Sequence, residues 1–372
     1  VELLTSHRKA EIPRDTVKDS RHPSVADYFP DYEVQVDIGR NELKDVIRGK
    51  HVVLVEHLLT PARKVQEDFP QMVSVNDHIM TVRGFLDVIG KTDTIKRTLL
   101  APYLSYVRSH SIEKYESRGF YQFDSLRRTL NDFRKDGLDG IITIDPHSEK
   151  AQQIALELGM EYRSINPFQS GRAINPYKLG LKKGRKGQQI MKRLRPFQER
   201  FGELKEKYKG HLYVVSIDDG TETRSSNFTE RAFSELSIEE VYSLMVFCDK
   251  DRVSYEHSTS SFKPFSAINE SNIDPEGVYI IIDDMAASLG TGNTGAKVLK
   301  ILKAKRVELW ASHAVTTPNV YQKANDRTYI DQVVCLDTVP QSPELNIEYI
   351  KASADLLASE LYKVHQKLVA SR

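Results

Sequence analysis

Cysteine is nearly missing from this chain: two occur in 372 residues, Cys248 and Cys335. That excludes a cysteine-built metal cluster and argues against a disulfide framework. Both lie in apolar, strand-like runs, the setting of buried thiols in a reducing compartment. Long apolar runs are missing too, since none approaches the ~18 residues of a membrane span. The first residues, VELLTSHRKAE, lack the apolar centre of a signal peptide. The expectation is a cytoplasmic protein without a membrane partner. Charge of one sign is also scarce: the formal net charge is +1. Nothing global therefore calls for nucleic acid or a lipid surface. What is present, 40% hydrophobic and 28% charged residues, is the composition of a globular protein long enough for two ordinary domains.

The apolar pattern alternates between strands and helices. EVQVDIG at 33–39 has the period of two of a half-buried strand, and HVVLV at 51–55 is a second strand. Residues 77–89 put Ile79, Met80, Val82, Phe85, Leu86 and Ile89 at helical spacing, and 95–102 reads as a strand. A helix at 125–133 and a strand at 140–145 follow. The second half repeats the rhythm with strands at 211–217, 242–248, 278–282, 306–312 and 332–336, and helices at 229–235, 296–305 and 347–369. Such an order predicts doubly wound, mainly parallel sheets. The first thirty residues, broken by Pro13, Pro23 and Pro30, are expected to be irregular with one short helix.

Between the halves, 178–195 carries Lys178, Lys182, Lys183, Arg185, Lys186, Lys192, Arg193 and Arg195 with no acid. A solvated linker and helix face is the preferred reading over a polyanion site, because aromatic residues are sparse and no nucleic-acid motif accompanies the charge.

The stretch with most chemistry is GVYIIIDDMAASLGTGNT, 277–294. An apolar, β-branched run fits a strand buried on both faces, and Asp283 and Asp284 close it. Small and polar residues at 286–294 then form a turn into the next helix, whose buried side is expected to hold Val298, Leu299, Ile301 and Leu302. Exposed N–H groups at such a turn attract an anion, and carboxylates at a strand end bind sugar hydroxyls or a metal. The same residues also fit a strand that merely ends in acids and caps a helix.

Together with motifs elsewhere, this stretch resembles the phosphoribosyl-pyrophosphate (PRPP) loop of type I phosphoribosyltransferases and of ribose-phosphate diphosphokinases. Asp283, Asp284, Ser288, Gly290 and Thr291 keep the loop pattern, whereas Ala287 replaces an acid and Leu289 a glycine. Resemblance to the diphosphokinases runs from Phe29 to about Leu361. It implies an α/β fold of two type I phosphoribosyltransferase-like domains, each a mainly parallel sheet flanked by helices. The implied division is 1–163 on the ATP side, with the C-terminal helix 347–372 packed on it, a basic insertion at 164–209, and 210–346 for the ribose phosphate.

The resemblance also implies roles. Phe29, Asp31 and Glu33 match a loop that reaches the ATP base of a neighbouring subunit, chemically sensible because an aromatic stacks on adenine while acids accept its amino group. A Phe packed beneath its own strand is the plain alternative. Pro102-Tyr-Leu-Ser-Tyr-Val-Arg108 is similar to an ATP loop, altered at Ser109 and His110, and Arg118 resembles a later arginine of the same region. Arginine's fixed fork suits phosphate oxygens. Asp145, His147 and Asp218 correspond to the metal side, with Mg2+ as the implied cofactor. Lys250 and Arg252 match a flap whose cations neutralise the transferring phosphoryl group.

The implied reaction moves the β,γ-pyrophosphoryl group of Mg-ATP to the C1 hydroxyl of ribose 5-phosphate. A larger acceptor such as ADP-ribose is the alternative that Ala287 and Leu289 suggest, and a catalytically silent regulatory homologue is the other. The expected assembly is a homo-oligomer, a dimer or hexamer, with no membrane or nucleic-acid partner.

Overall fold

The computed structural model describes residues 2–5, 7–8, 24–28, 33–38, 47–59, 74–108, 116–169, 185–209, 211–216, 219–232, 245–247, 251–252, 258–259, 273–287, 289–315, 325–340 and 345–371. The chain divides into two compact units. The first is Val1–Thr60, Gln66–Ile165 and Leu357–Arg372; the second is Pro61–Val65 and Asn166–Leu356.

In the first unit, β1 (Glu2–Thr5), β5 (His51–Val55), β6 (Lys96–Ala101), β7 (Gly140–Ile144) and β8 (Glu161–Ile165) form a five-stranded sheet in the order β1-β5-β6-β7-β8. Every neighbouring pair is parallel. Val52, Val53, Leu54, Leu99, Ile141 and Ile142 are buried, as a sheet covered on both faces requires. Its crossovers are α1 (Val75–Gly90), α2 (Ser125–Lys135) and α3 (Lys150–Glu157). A small sheet joins β2 (His7–Arg8), β3 (Ser24–Tyr28) and β4 (Val34–Ile38).

Helix α1 starts on a capping box. Ser74 Oγ accepts the Asp77 N–H at 3.2 Å, and the Asp77 carboxylate accepts the Ser74 N–H at 2.7 Å. Gly84 lets this helix lie against β4, since a Cβ there would come within 2.7 Å of Val36 Cγ2. The buried face is His78, Thr81, Val82, Phe85, Leu86 and Ile89. Met80, expected in that stripe, is 51% exposed. A histidine takes the inward position two residues earlier.

The second unit has the order β10-β9-β13-β14-β15-β16: β9 (Leu212–Ser216), β10 (Met245–Phe247), β13 (Val278–Met285), β14 (Arg306–His313), β15 (Gln332–Leu336) and β16 (Glu348–Ile350). All pairs are parallel. A separate two-stranded piece pairs β11 (Asp251–Arg252) with β12 (Ser258–Thr259). Helices α4 (Arg185–Arg193), α5 (Pro196–Tyr208), α6 (Asp219–Ala232) and α7 (Gly290–Ile301) belong to this unit. The last helix, α8 (Ser353–Ala370), opens where Asp337 Oδ1 accepts the N–H groups of Ala352 at 3.0 Å and Ser353 at 2.9 Å. Trp310 lies at the centre of an aromatic core, stacked on Phe197 at 5.7 Å and edge-on to Phe228 at 6.1 Å. Through Phe197 and Phe201, α5 contributes to that core directly beyond the basic run.

Several elements differ from the sequence expectations. Strands β1 to β3 occupy stretches expected to be irregular; β1 is completed by the distant β5, whereas β2 and β3 pair within the small sheet that β4 closes. Helix α6 begins at Asp219 rather than near 229, and α7 at Gly290 rather than 296. Both open with polar or Gly-rich turns of low helix propensity, which tertiary packing overrides. For α7 the packing is specific, since a Cβ on Gly292 would lie 2.3 Å from Leu309 Cδ1. Ile301, expected inside, is 65% exposed. The expected helix at 347–369 starts with strand β16 and becomes helical only at Ser353. Strand β8 and helix α3 escaped the pattern reading because β8 is a sheet edge with a mixed polar face. No helix among the described residues is long and apolar enough to cross a membrane.

Candidate functional site

The second sheet contains a reversal. From β9 the chain crosses to β10 on one side, then returns to β13 on the other side of β9. Such a switch leaves a crevice at the C-terminal ends of the two strands, where open α/β sheets take their ligands. Register sharpens the point: β13 pairs with β9 only as far as Ile281 opposite Val215, but continues along β14 through Asp283 opposite Ala311 and Met285 opposite His313. Asp283 and Asp284 thus belong to the strand and overhang the end of β9. The sequence pattern, which closes the strand with these acids, does not show that overhang.

The turn that follows is held where it leaves the strand. The Ala286 N–H donates to His313 O at 2.8 Å, and the Asp284 N–H donates to Asp283 Oδ1 at 2.8 Å. Asp283 is half-buried and Asp284 is 8% exposed. Ala287 and Leu289 are buried, and Leu289 adopts a left-handed backbone with φ 54° immediately before α7. Glycine takes that conformation freely, whereas leucine is strained in it. The backbone at 289 thus has the shape that a glycine would favour, with an apolar side chain tucked inward. Gly290 and Thr291 supply the first N–H groups of α7, a ready anion site.

His313 was not anticipated. It is buried, its Nδ1 lies 2.8 Å from Thr338 Oγ1, and its carbonyl anchors the turn. Only its place at the end of an apolar run hinted at it. Cys335, opposite Ala311, is buried as expected; burial first, and then the Asp283 charge, push its thiol pKa up, so it stays protonated. Cys248 lies outside the described residues.

In the first unit, strand order is monotonic and three loops share the C-terminal edge. After β6, Tyr103, Leu104 and Val107 are buried, while Ser105 Oγ donates to Leu58 O. Tyr106 stands at φ 62° with its hydroxyl donating to Asn76 Oδ1 at 2.7 Å. This anchoring presents Arg108 at the surface. After β7, buried Asp145 has φ 39°, and its carbonyl accepts the His147 N–H at 2.9 Å, a tight turn that leaves His147 exposed. Left-handed residues at Leu58, Tyr106, Asp145 and Leu289 all follow strand ends, and backbone strain of that kind collects at functional edges.

Asp145 offers one carboxylate and His147 one imidazole. A single carboxylate fits magnesium that arrives on a nucleotide's phosphates, not one caged by protein alone. Arg118 and Glu33 are exposed. Arg252 is described only as a backbone member of β11. Phe29, Asp31, Ser109, His110, Asp218, Lys250 and Ser288 lie outside the described residues. Among the described candidates, Asp283, Asp284, Ala287, Leu289, Gly290 and Thr291 gather around one turn, Arg108 stands on its anchored loop, Asp145 lies with His147, and Glu33, Arg118 and Arg252 lie apart from these groups in the chain.

No family model matches the chain. Over 347 residues, 93% of this chain and 84% of the relative, it is 24% identical to a ribose-phosphate pyrophosphokinase of Prochlorococcus marinus subsp. pastoris. It is also 24% identical over 374 residues to a ribose-phosphate pyrophosphokinase of Burkholderia pseudomallei, covering 98% of this chain and 94% of that one. Among solved structures, a phosphoribosylpyrophosphate synthetase from Mycobacterium smegmatis superimposes with a TM-score of 0.66 at 16% identity, covering 99% of this chain and all of the other. The two parallel sheets flanked by helices are the fold of that enzyme.

Proposed function

We propose that this chain, a divergent relative of the ribose-phosphate pyrophosphokinases, transfers the β,γ-pyrophosphoryl group of ATP to the C1 hydroxyl of ribose 5-phosphate. The observation that carries this reading is the turn from Asp283 to Thr291. It combines two carboxylates overhanging a switch point, a left-handed residue where the family has glycine, and the start of a helix.

The C1 hydroxyl oxygen attacks the β-phosphorus and gives its proton to solvent, the bond from that phosphorus to the oxygen shared with the α-phosphate breaks, and AMP leaves. Chemistry of this kind needs positioning and charge stabilisation more than covalent help. Asp283 and Asp284 accept hydrogen bonds from the ribose hydroxyls, which fixes the sugar beside its acceptor oxygen. Backbone N–H groups at Gly290 and Thr291, with Ser288, hold the 5-phosphate. Arg108 and Arg118 bind nucleotide phosphates, and Lys250 and Arg252 stabilise charge as the bond breaks. Asp145, His147 and Asp218 would hold magnesium that arrives with the nucleotide, and the ion would offset the triphosphate charge. Phe29, Asp31 and Glu33 serve the adenine of a neighbouring subunit in a homo-oligomer, so light scattering should find at least a dimer, and a fully active monomer would remove that role.

ADP-ribose as acceptor is the second reading, supported by Ala287 and Leu289, two apolar side chains where the family has an acid and a glycine. AMP release from ATP with each acceptor tests both. Ribose 5-phosphate should give the higher kcat/KM, because N–H groups aimed at a dianion contribute more than they do toward a diester. A tenfold preference for ADP-ribose, about 1.4 kcal/mol, would reverse the assignment, and AMP release with neither would sink the reaction.

A further inference from the structure

We propose that Glu56, His57 and His78 form a binding site for one divalent transition-metal ion, with zinc as the reference case. The three are brought together by the fold rather than by a sequence motif. Glu56 and His57 follow β5 directly, and the Glu56 N–H donates to Leu100 O at 3.0 Å, which keeps it in line with the sheet. The chain then turns at Leu58, fully buried with φ 49°. His78 comes from the first turn of α1, its Nδ1 2.6 Å from Glu56 Oε1, and the His57 ring meets it edge-on with centroids 4.8 Å apart.

One ligand atom from each of the three lies within 4.8 Å of the others, and no other group of three metal-ligating side chains gathers in this way among the described residues. Zinc takes nitrogen and carboxylate oxygen at ~2.0–2.2 Å in a tetrahedral array, so ligands of one ion stand roughly 3.3–3.6 Å apart. Side-chain rotation that draws the most distant ligand atoms together by about an ångström closes the cluster. Two imidazoles and one carboxylate suit zinc, cobalt or iron, whereas magnesium prefers six oxygens. Glu56 is 2% exposed and His78 is fully buried, so a bound ion would sit in a low-dielectric setting where Glu56 supplies compensating charge. The start of a helix opposes a cation; Glu56, and Asp77 in the same first turn, offset that field.

Such an ion would tie the end of β5 to α1. Both of those segments support the loop after β6, through the bonds from Ser105 to Leu58 and from Tyr106 to Asn76. The ion would therefore brace the loop that presents Arg108, a role separate from magnesium on a nucleotide and independent of which acceptor is used.

The test is direct titration of the full chain, stripped with chelator and free of nucleotide, with Zn2+ and in parallel with Co2+. Saturable uptake of one ion per chain is expected, with a ligand-field spectrum of low-coordinate cobalt, a raised thermal midpoint and no displacement by excess Mg2+. His57→Gln, at a half-buried position that leaves folding intact by circular dichroism, should weaken uptake at least ~10-fold. Glu56→Gln retains an oxygen for His78 but loses the charge, and should weaken it too. Uptake that is unsaturable in the parent, undiminished in His57→Gln, or displaced by Mg2+ overturns the proposal.

Discussion

The phenol of Tyr106 donates to Asn76 Oδ1 at 2.7 Å, joining the loop after β6 to the first turn of α1. Tyr106 holds a left-handed backbone, so this bond restrains a strained residue two positions before Arg108. A solvent-exposed bond of this type contributes about 0.5–1.5 kcal/mol. Tyr106→Phe should raise the KM for ATP by roughly 2–10-fold, with kcat little changed. Asn76→Ala should match it, and the double variant should be no worse than either single one. Steady-state kinetics with varied ATP decide it; an unchanged KM would separate the loop from nucleotide binding.

Leu289 sits where backbone and side chain disagree. Its left-handed conformation costs leucine about 1–2 kcal/mol, while its buried side chain stabilises the turn. Leu289→Ala loses the burial and retains the strain, so it should destabilise by ~2–5 kcal/mol. Leu289→Gly loses the same burial but relieves the strain, and should be the more stable of the two by about 1 kcal/mol, inverting the usual order. Urea unfolding followed by the fluorescence of Trp310, the single tryptophan, reports on this unit. An alanine variant more stable than the glycine one would contradict the strain.

Acid should weaken the first unit through His51. Its Nε2 is 2.8 Å from Thr98 Oγ1 and its ring stacks on His365 at 5.6 Å. Burial above all, then the neighbouring Lys96 and His365, lower its pKa to about 4, with Glu161 opposing. In the unfolded chain it titrates near 6.5, so between these values the unfolded state binds more protons. Stability is therefore complete above about pH 6.5 and is lost progressively as pH falls toward about 4. Urea midpoints by circular dichroism across that range should decline in the parent and decline less in His51→Gln; parallel slopes would acquit His51.

Lys250→Ala should preserve the fold and ribose-phosphate binding yet lower turnover by at least ~100-fold, because the proposed role uses its charge chiefly in the transition state. Arg252→Ala should behave alike, with some loss of ATP affinity as well. Near-normal kcat in either variant would remove that residue from the reaction.

Much of the architecture was legible without coordinates. HVVLV, GIITI and GVYIII are short apolar runs between punctuating residues, and local composition alone selects a strand buried on both faces. The adjacent acids at 283 and 284 and the small residues after them were legible for the same reason, since their chemistry lies within a few neighbouring positions. Tertiary structure decided the rest. Whether Asp283 ends a strand or overhangs one depends on where β9 stops, and no window of β13 contains that information. The helical start of α7 depends on Leu309 lying beside Gly292, and the strain at Leu289 on the turn it must complete. Helical spacing favoured Met80, but the inward position belongs to His78, because Glu56, just past the end of β5 and 22 residues earlier, meets it there. Periodicity reports which face of an element is apolar; only the packed chain determines which polar groups that face must accommodate.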